Sequence, residues 1–438
     1  MKLAVRHLLI IIILVSASLL ADPNDKRSTI INVRDYGALG NGISDDSTAI
    51  RAAIAALPPS NAKLYFPAGE YRCSTIVITA KKHLTICGDG WPSSIIKSNK
   101  ISEAGDGRGP TIGAQVLNID AACCDIEVYG LTFDGSCDYR KPGQQAVIID
   151  SDNTTFRNNY TINSGEYANS FGRNNARKMD NLIVTDNRIG LNWADGINLN
   201  NVNNALVANN MVDGANDDLI AVSDSNNVAI NGNFLRSRID LPSKVGRGIA
   251  ILDGSKNIHA SSNYIEQVKQ YGLYIVTENA NAARPANIDF YNTTLRNVAI
   301  NSGDAVYVCR ADNVTLVNTN VYNPGQGDCI LIGDWTNLTI TGGILSQTKN
   351  QYCRGIHALE NSGLSPKWSN LIIKNVQINM IGASTNEAIY LSPHDSVMMD
   401  TILITGVSAK TASANNYIFV DPGNCEKSLN IIHNISLD

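Results

Sequence analysis

Asp195-Gly-Ile-Asn-Leu-Asn, Asp218-Leu-Ile-Ala-Val-Ser, Arg247-Gly-Ile-Ala-Ile-Leu and Tyr271-Gly-Leu-Tyr-Ile-Val share one polarity pattern. In each line the third and fifth residues are Ile, Leu or Val. The same pattern continues downstream in Asp304-Ala-Val-Tyr-Val-Cys, Asp328-Cys-Ile-Leu-Ile-Gly, Arg354-Gly-Ile-His-Ala-Leu and Glu387-Ala-Ile-Tyr-Leu-Ser, and upstream in Gln145-Ala-Val-Ile-Ile-Asp. A recurrence of roughly 22 to 32 residues is the mark of a solenoid. Side chains alternate across a strand, so the third and fifth columns face one way. They predict an inward stack of Ile197, Ile220, Ile249, Leu273, Val306, Ile330, Ile356 and Ile389, with positions four and six facing outward.

Each repeat also carries an earlier alternating strand, among them Leu182-Ile-Val, Ala205-Leu-Val, Val228-Ala-Ile, Val314-Thr-Leu, Leu338-Thr-Ile and Leu371-Ile-Ile. No helical period separates them. An antiparallel sandwich would join its strands by two-residue hairpins; here the turns are longer and the polarity recurs in one direction. The pattern therefore predicts an all-β fold, a parallel β-helix of about ten coils. Asn203-Asn204, Asn226-Asn227, Asn231 and Asn233 mark turns. Asparagine suits them twice over, because its amide can bond from coil to coil and its backbone tolerates left-handed geometry.

A solenoid exposes an apolar end that needs covering. Ser44-Asp-Asp-Ser-Thr-Ala-Ile50 opens the one strong amphipathic helix, which ends near Leu57 before Pro58-Pro59. Ser44 is the expected N-cap, Asp45 and Asp46 suit the first turn, and Ile50, Ile54 and Leu57 make an apolar face. The expected organisation is a signal peptide over residues 1–21, an N-terminal cap and first coil over 22–80, and the β-helix over 81–438. Lys2, Arg6 and the apolar run Leu8 to Val15 underlie the first of these, which predicts a secreted chain.

Asn32-Val-Arg-Asp-Tyr-Gly-Ala-Leu-Gly-Asn-Gly-Ile-Ser-Asp-Asp-Ser-Thr-Ala-Ile50, followed by Leu64-Tyr-Phe-Pro-Ala-Gly-Glu-Tyr71, resembles the opening of the pectate-lyase-like right-handed β-helix superfamily. The resemblance implies a right-handed coil with an N-terminal capping helix. It implies little about chemistry, because that segment is a lid.

The net charge of −5 sets 35 basic against 40 acidic residues with no basic run, which argues against a nucleic-acid partner. No later segment reads as a membrane span, and the sequence carries no signature of oligomeric state. Nine cysteines in an exported chain can oxidise in part, and the odd number leaves at least one unpaired. No Cys or His spacing suggests zinc.

Asp195, Asp217 with Asp218, and Arg247 open successive lines, so stacking puts them on adjacent rungs about 4.8 Å apart. Three carboxylates on one face repel one another and need a cation, a shared proton or a nearby arginine. Two chemistries fit. In glycoside hydrolysis, one carboxylic acid protonates the leaving oxygen while another carboxylate activates water or attacks carbon. In β-elimination or epimerisation, calcium held by Asp195, Asp217 and Asp218 acidifies the proton beside a uronate carboxylate.

Locally the text is similar to polygalacturonases, glycoside hydrolase family 28. Trp193-Ala-Asp-Gly-Ile stands where that family has Asn-Thr-Asp-Gly-Ile, and Ala215-Asn-Asp-Asp-Leu-Ile where it has Gly-Asp-Asp-Cys-Ile. The resemblance implies that Asp218 is the general acid, that Asp195 and Asp217 handle water, and that no cofactor is needed. Arg247 replaces the family's histidine, and Tyr274-Ile-Val276 replaces its Arg-Ile-Lys. The expected substrate is an acidic or complex polysaccharide. Tyr271, Tyr274, Tyr307, His357 and Asn198 are the expected substrate-binding residues, lying on or beside the outward column. Ser392-Pro-His-Asp395 vaguely resembles an alginate-epimerase element. A non-catalytic carbohydrate-binding or adhesive β-helix is the alternative outside enzymes.

Overall fold

The structure, a computed structural model, describes residues 28–99, 115–138, 143, 145–173, 177–237, 246–359, 367–384, 387–392, 398–399, 402–411, 418–420 and 435–437. The expected signal peptide, Cys425 and the Pro393-His394-Asp395 part of the epimerase-like element lie outside these residues.

The chain winds through three parallel sheets. Among the described residues they hold 15, 15 and 13 strands. That is more than the ten coils expected, because the repeat is degraded toward both ends while the pairing persists. Each coil also contributes three strands where the sequence reading found two. The extra strand is very short, as in Arg188–Ile189 and Tyr264–Glu266, and too brief to show alternation. Pairing runs without interruption across residue 80, where Ser60–Phe66 lies beside Lys82–Gly88.

The third sheet carries the aligned lines. Its central strands are β1 (Ile197–Asn200), β2 (Asp218–Ser223), β3 (Arg247–Leu252) and β4 (Tyr271–Val276), continued by β5 (Val306–Cys309), β6 (Ile330–Ile332), β7 (Ile356–Leu359) and β8 (Ile389–Ser392). Every residue of the expected inward stack, from Ile197 to Ile389, is fully buried. These residues belong to one core that runs from Ile31 to Ala409.

The turns are held by asparagine in both of the ways expected. Asn204, Asn227, Asn257 and Asn287 all adopt positive φ, between 55° and 59°. Their amides also stack from rung to rung, Asn227 to Asn204 at 3.1 Å, Asn257 to Asn227 at 3.2 Å and Asn287 to Asn257 at 2.9 Å. A second, buried ladder runs Asn187–Asn210–Asn233–Asn263, each amide also donating to a main-chain carbonyl such as those of Val184 and Val207. Interior amides with every group paired reinforce register, because a slip of one residue would orphan them.

The helix α1 spans Ser47–Ala55, and Ser44 is not its N-cap. Asn41–Asp45 is a strand, and Asp46 occupies the cap position without a side-chain cap bond. The Asp46 carboxylate is taken instead by the amides of Leu39 and Gly40, at 2.7 and 3.2 Å. Asp45 accepts from the Ser47 amide at 2.9 Å. The expected face is present: Ile50, Ala53 and Leu57 are buried in the core, and Ile54 packs against it. No disulfide joins any two of the eight described cysteines.

Candidate functional site

The register of the third sheet places the first residue of each line beside the next. Asp218 pairs with Arg247, and Arg247 with Tyr271. Ile197 pairs with Ile220, and two residues back the Asp218 amide donates to Asp195 Oδ1 at 3.2 Å. Asp195, Asp217, Asp218 and Arg247, far apart in the chain, therefore meet. Gly246 makes the entry possible: at its φ of +66° a Cβ would stand 2.9 Å from the Lys269 Cβ of the next coil.

The arginine binds one aspartate in a fork. Arg247 Nε and Nη2 both donate to the Asp218 carboxylate, Nη2 at 2.9 Å to Oδ2. Nη1 reaches the exposed Glu278 at 2.5 Å, and Nη2 lies 3.9 Å from Asp217 Oδ1. Below the guanidinium lies the ring of Tyr274, 4.5 Å from Arg247 Cζ. Such a bidentate, stacked arrangement fixes the carboxylate in direction as well as charge.

Asp195 has no such partner. It is 5% exposed, and among the described residues its oxygens accept only from the Asp218 amide and, at 2.8 Å, from Asn198. Burial first, then the charges of Asp218 and Asp217, hold its pKa well above the ordinary aspartate value. Burial also pushes Asp218 up to about 7, against the opposing pull of Arg247. For Arg247, burial favours the neutral form, and the carboxylates of Asp218 and Glu278 outweigh it. Two close carboxyls cannot both ionise cheaply, so one proton resides between them. The guanidinium stabilises the charge on Asp218, which leaves the proton on Asp195.

A carboxylate oxygen from each of Asp195, Asp217 and Asp218 lies within 4.8 Å of the others. This is compatible with a shared cation, since calcium binds oxygens at about 2.3–2.6 Å. Each Asp218 oxygen accepts one bond from Arg247 and keeps a second lone pair, so a shared cation would compete with the guanidinium for Asp218 without having to displace it.

The outward column is in register as expected, from Asn198 through Ala221, Ala250, Tyr274, Tyr307, Leu331 and His357 to Tyr390. Its first members are not solvent-facing. Asn198, Ala221 and Ala250 are 8%, 1% and 0% exposed. Asn198, expected to bind substrate, spends its amide on Asp195 and so positions the acid. Tyr271, Tyr274 and Tyr307 are half-buried and form one aromatic group with ring centroids 4.8–5.7 Å apart. His357 is not brought to this centre. It stands four strand pairings beyond Arg247, about 19 Å at ~4.8 Å per rung.

Sequence reading missed three groups. Glu278 closes the far side of Arg247. Lys269, 2% exposed, donates to the buried Asn216 at 2.6 Å, directly behind Asp217. Tyr167 is half-buried near Asp195 under Arg173, whose Cζ is 4.8 Å from its ring; desolvation and then the Asp195 charge raise its pKa. Glu278 and Lys269 each lie two residues outside the line Tyr271–Val276, so a search of the flanking turns for charge would have found them.

Residues 30–118 match the family model for rhamnogalacturonase A/epimerase, pectate lyase-like, and residues 117–295 match the model for a right-handed β-helix region. The mannuronan C5-epimerase AlgE5 of Azotobacter vinelandii is 45% identical over 73 residues, 15% of this chain and 7% of that protein. The chain thus matches only a small part of this relative's length. Among solved structures, the A-module of the mannuronan C-5 epimerase AlgE4 of A. vinelandii superposes with a TM-score of 0.55 at 16% identity, covering 81% of this chain and 99% of the module. The catalytic domain of a GH87 α-1,3-glucanase bound to nigerose gives a TM-score of 0.55 at 15% identity, covering 94% and 70%. The chain has the pectate-lyase-like right-handed β-helix fold, which it shares with polysaccharide-modifying enzymes of more than one reaction type.

Proposed function

We propose that this chain is a secreted polysaccharide hydrolase in which Asp195 is the general acid and the ionised carboxylates of Asp218 and Asp217 complete the reaction. The carrying observation is the asymmetry of the two buried aspartates. Asp218 is clamped by Arg247, while Asp195 is buried with amide donors only. An acid and a base drawn from one residue type require environments that push their proton affinities apart. The resemblance to polygalacturonases put the acid on Asp218; the fork to Arg247 favours Asp195.

The steps balance simply. Asp195 gives its proton to the glycosidic oxygen as the carbon–oxygen bond breaks. Asp218 stabilises the positive charge developing on the sugar. Water adds to that carbon, and its proton passes to Asp217, the most exposed of the three. Tyr271 and Tyr307 offer apolar faces and hydroxyls to neighbouring sugars. Charge also bears on the substrate. Arg247 is already matched by Asp218 and Glu278, while Lys269 is held on Asn216 and Arg173 lies over Tyr167. A uronate carboxylate beside Arg247 would compete with Asp218 and Glu278 for the guanidinium, which favours a neutral sugar at the cleaved bond. The binding of nigerose to a glucanase of the same fold agrees with this reading.

One observation favours a second reading: the three carboxylates are near enough to share a cation, which suits a lyase or epimerase. Product analysis separates the readings. Soluble fragments of α-1,3-glucan, polygalacturonate and alginate are incubated with the protein, with and without EDTA. The hydrolase reading expects new reducing ends from the neutral glucan, no ultraviolet-absorbing product, no effect of EDTA, and a loss of about 10²–10⁴ in rate for Asp195→Asn. An unsaturated product abolished by EDTA would establish the lyase. Inverted sugars without chain cleavage would establish the epimerase. Retention of glycan with no product would leave a binding protein.

A further inference from the structure

Three coils beyond Asp218 the same opening recurs. Asp304, Asp328 and Arg354 begin successive lines, as Asp195, Asp218 and Arg247 do. Strands β5, β6 and β7 pair through Val306, Ile330 and Ile356. The Asp328 amide donates to Asp304 Oδ1 at 2.8 Å, repeating the bond between Asp218 and Asp195. Asp304 is 7% exposed and Asp328 3%.

The third partner differs. The Arg354 amide donates to Asp328 Oδ1 at 2.7 Å, but its guanidinium lies over the Tyr390 ring at 4.4 Å and faces Glu387 at 3.6 Å. The place of the fork is taken by His357, whose Nδ1 stands 2.6 Å from Asp328 Oδ2. A carboxylate on one ring nitrogen fixes the imidazole and presents the other. That other nitrogen, Nε2, is buried and has no hydrogen-bond partner, on a residue only 7% exposed. Buried polar atoms are almost always paired, so an orphan held this firmly points to a ligand atom. The His357 ring is braced edge-on against Tyr390 at 5.1 Å.

We propose that Asp304, Asp328 and His357 form a second glycan-binding site, in which His357 Nε2 and the Asp304 carboxyl hold hydroxyls of a neutral sugar. Between it and the Asp195 centre lie Tyr271, Tyr274 and Tyr307, stacked on one another. From Asp218 to Asp304 is three rungs, about 14 Å at ~4.8 Å each. One extended polymer therefore crosses the tyrosines and reaches both sites, and a short oligomer does not. The inference rests on the hydrolase reading for its substrate class. Burial raises Asp304 to about 7, which keeps it a hydroxyl donor in neutral solution and agrees with the site.

His357→Asn tests it, because the asparagine amide can still donate to Asp328 while Nε2 is lost. Soluble α-1,3-glucan polymer and its trimer are compared as substrates, with thermal unfolding to verify the fold. The expected result is a KM for polymer raised about tenfold, the loss of one hydrogen bond, with kcat and both constants for trimer unchanged. Asp304→Asn should give the same split. Retardation of Asp195→Asn in gels containing the polymer should weaken when His357→Asn is added. Turnover of polymer with no split in either variant would overturn the second site and leave the hydrolase reading intact. Retention without turnover that depends on His357 would sustain the site and sink the reading. No retention and no turnover would end both.

Discussion

The Asp195–Arg247 and Asp304–His357 groups start from one template, Asp, Asp and Arg on three successive coils, and finish differently. In the first, the arginine side chain turns back and forks onto the preceding aspartate. In the second, the arginine is drawn away by Glu387 and Tyr390, and a histidine three residues later takes the aspartate. Stacking alone thus decides which residues meet. The neighbours of the cation decide which chemistry results: a clamped carboxylate beside a protonated one in the first case, an oriented imidazole in the second.

The contrast can be broken most forcefully at the arginines. Arg247→Ala leaves Asp218 buried without its partner and should cost about 3–5 kcal/mol in urea unfolding. Arg354→Ala removes a cation over a ring and a looser ion pair, and should cost about 1–2 kcal/mol. Equal losses would mean that the fork does not set the first centre apart. A smaller effect concerns pH. Asp304 has a folded pKa near 7, above its unfolded value, so the folded state retains a proton that the unfolded chain has released. Its stabilising contribution is full below pH ~4 and is lost as pH rises through about 7. Unfolding free energy should therefore fall from pH 5 to pH 7 by up to about 1.4 kcal/mol per unit more steeply in the wild type than in Asp304→Asn. Parallel slopes would contradict the burial of that carboxyl.

Much of this was legible in the sequence, for a simple reason. In a parallel coil one residue per turn faces a fixed direction, so aligning Ile197, Ile220 and Ile249 also aligns Asp195, Asp218 and Arg247. Whatever depends on side-chain direction outside the strands was not. Ser44 reads as a cap, yet the turn amides of Leu39 and Gly40 claim Asp46 and the helix starts later. Asn198 occupies an outward position and is nonetheless buried on Asp195. Strands as short as Arg188–Ile189 show no period, so the second sheet went unseen. Glu278 and Lys269 sit in turns of unequal length, where no alignment ranks one residue above its neighbours.

The account stands on where the proton of the first centre resides. Carbon-13 NMR of the side-chain carboxyls, with Asp195 assigned by comparison with Asp195→Asn, reads this through a pH titration of the free protein. The expected result is an Asp195 carboxyl that titrates well above the ordinary aspartate value of about 3.9. An Asp195 resonance that titrates with a midpoint near 4 would contradict its role as the acid.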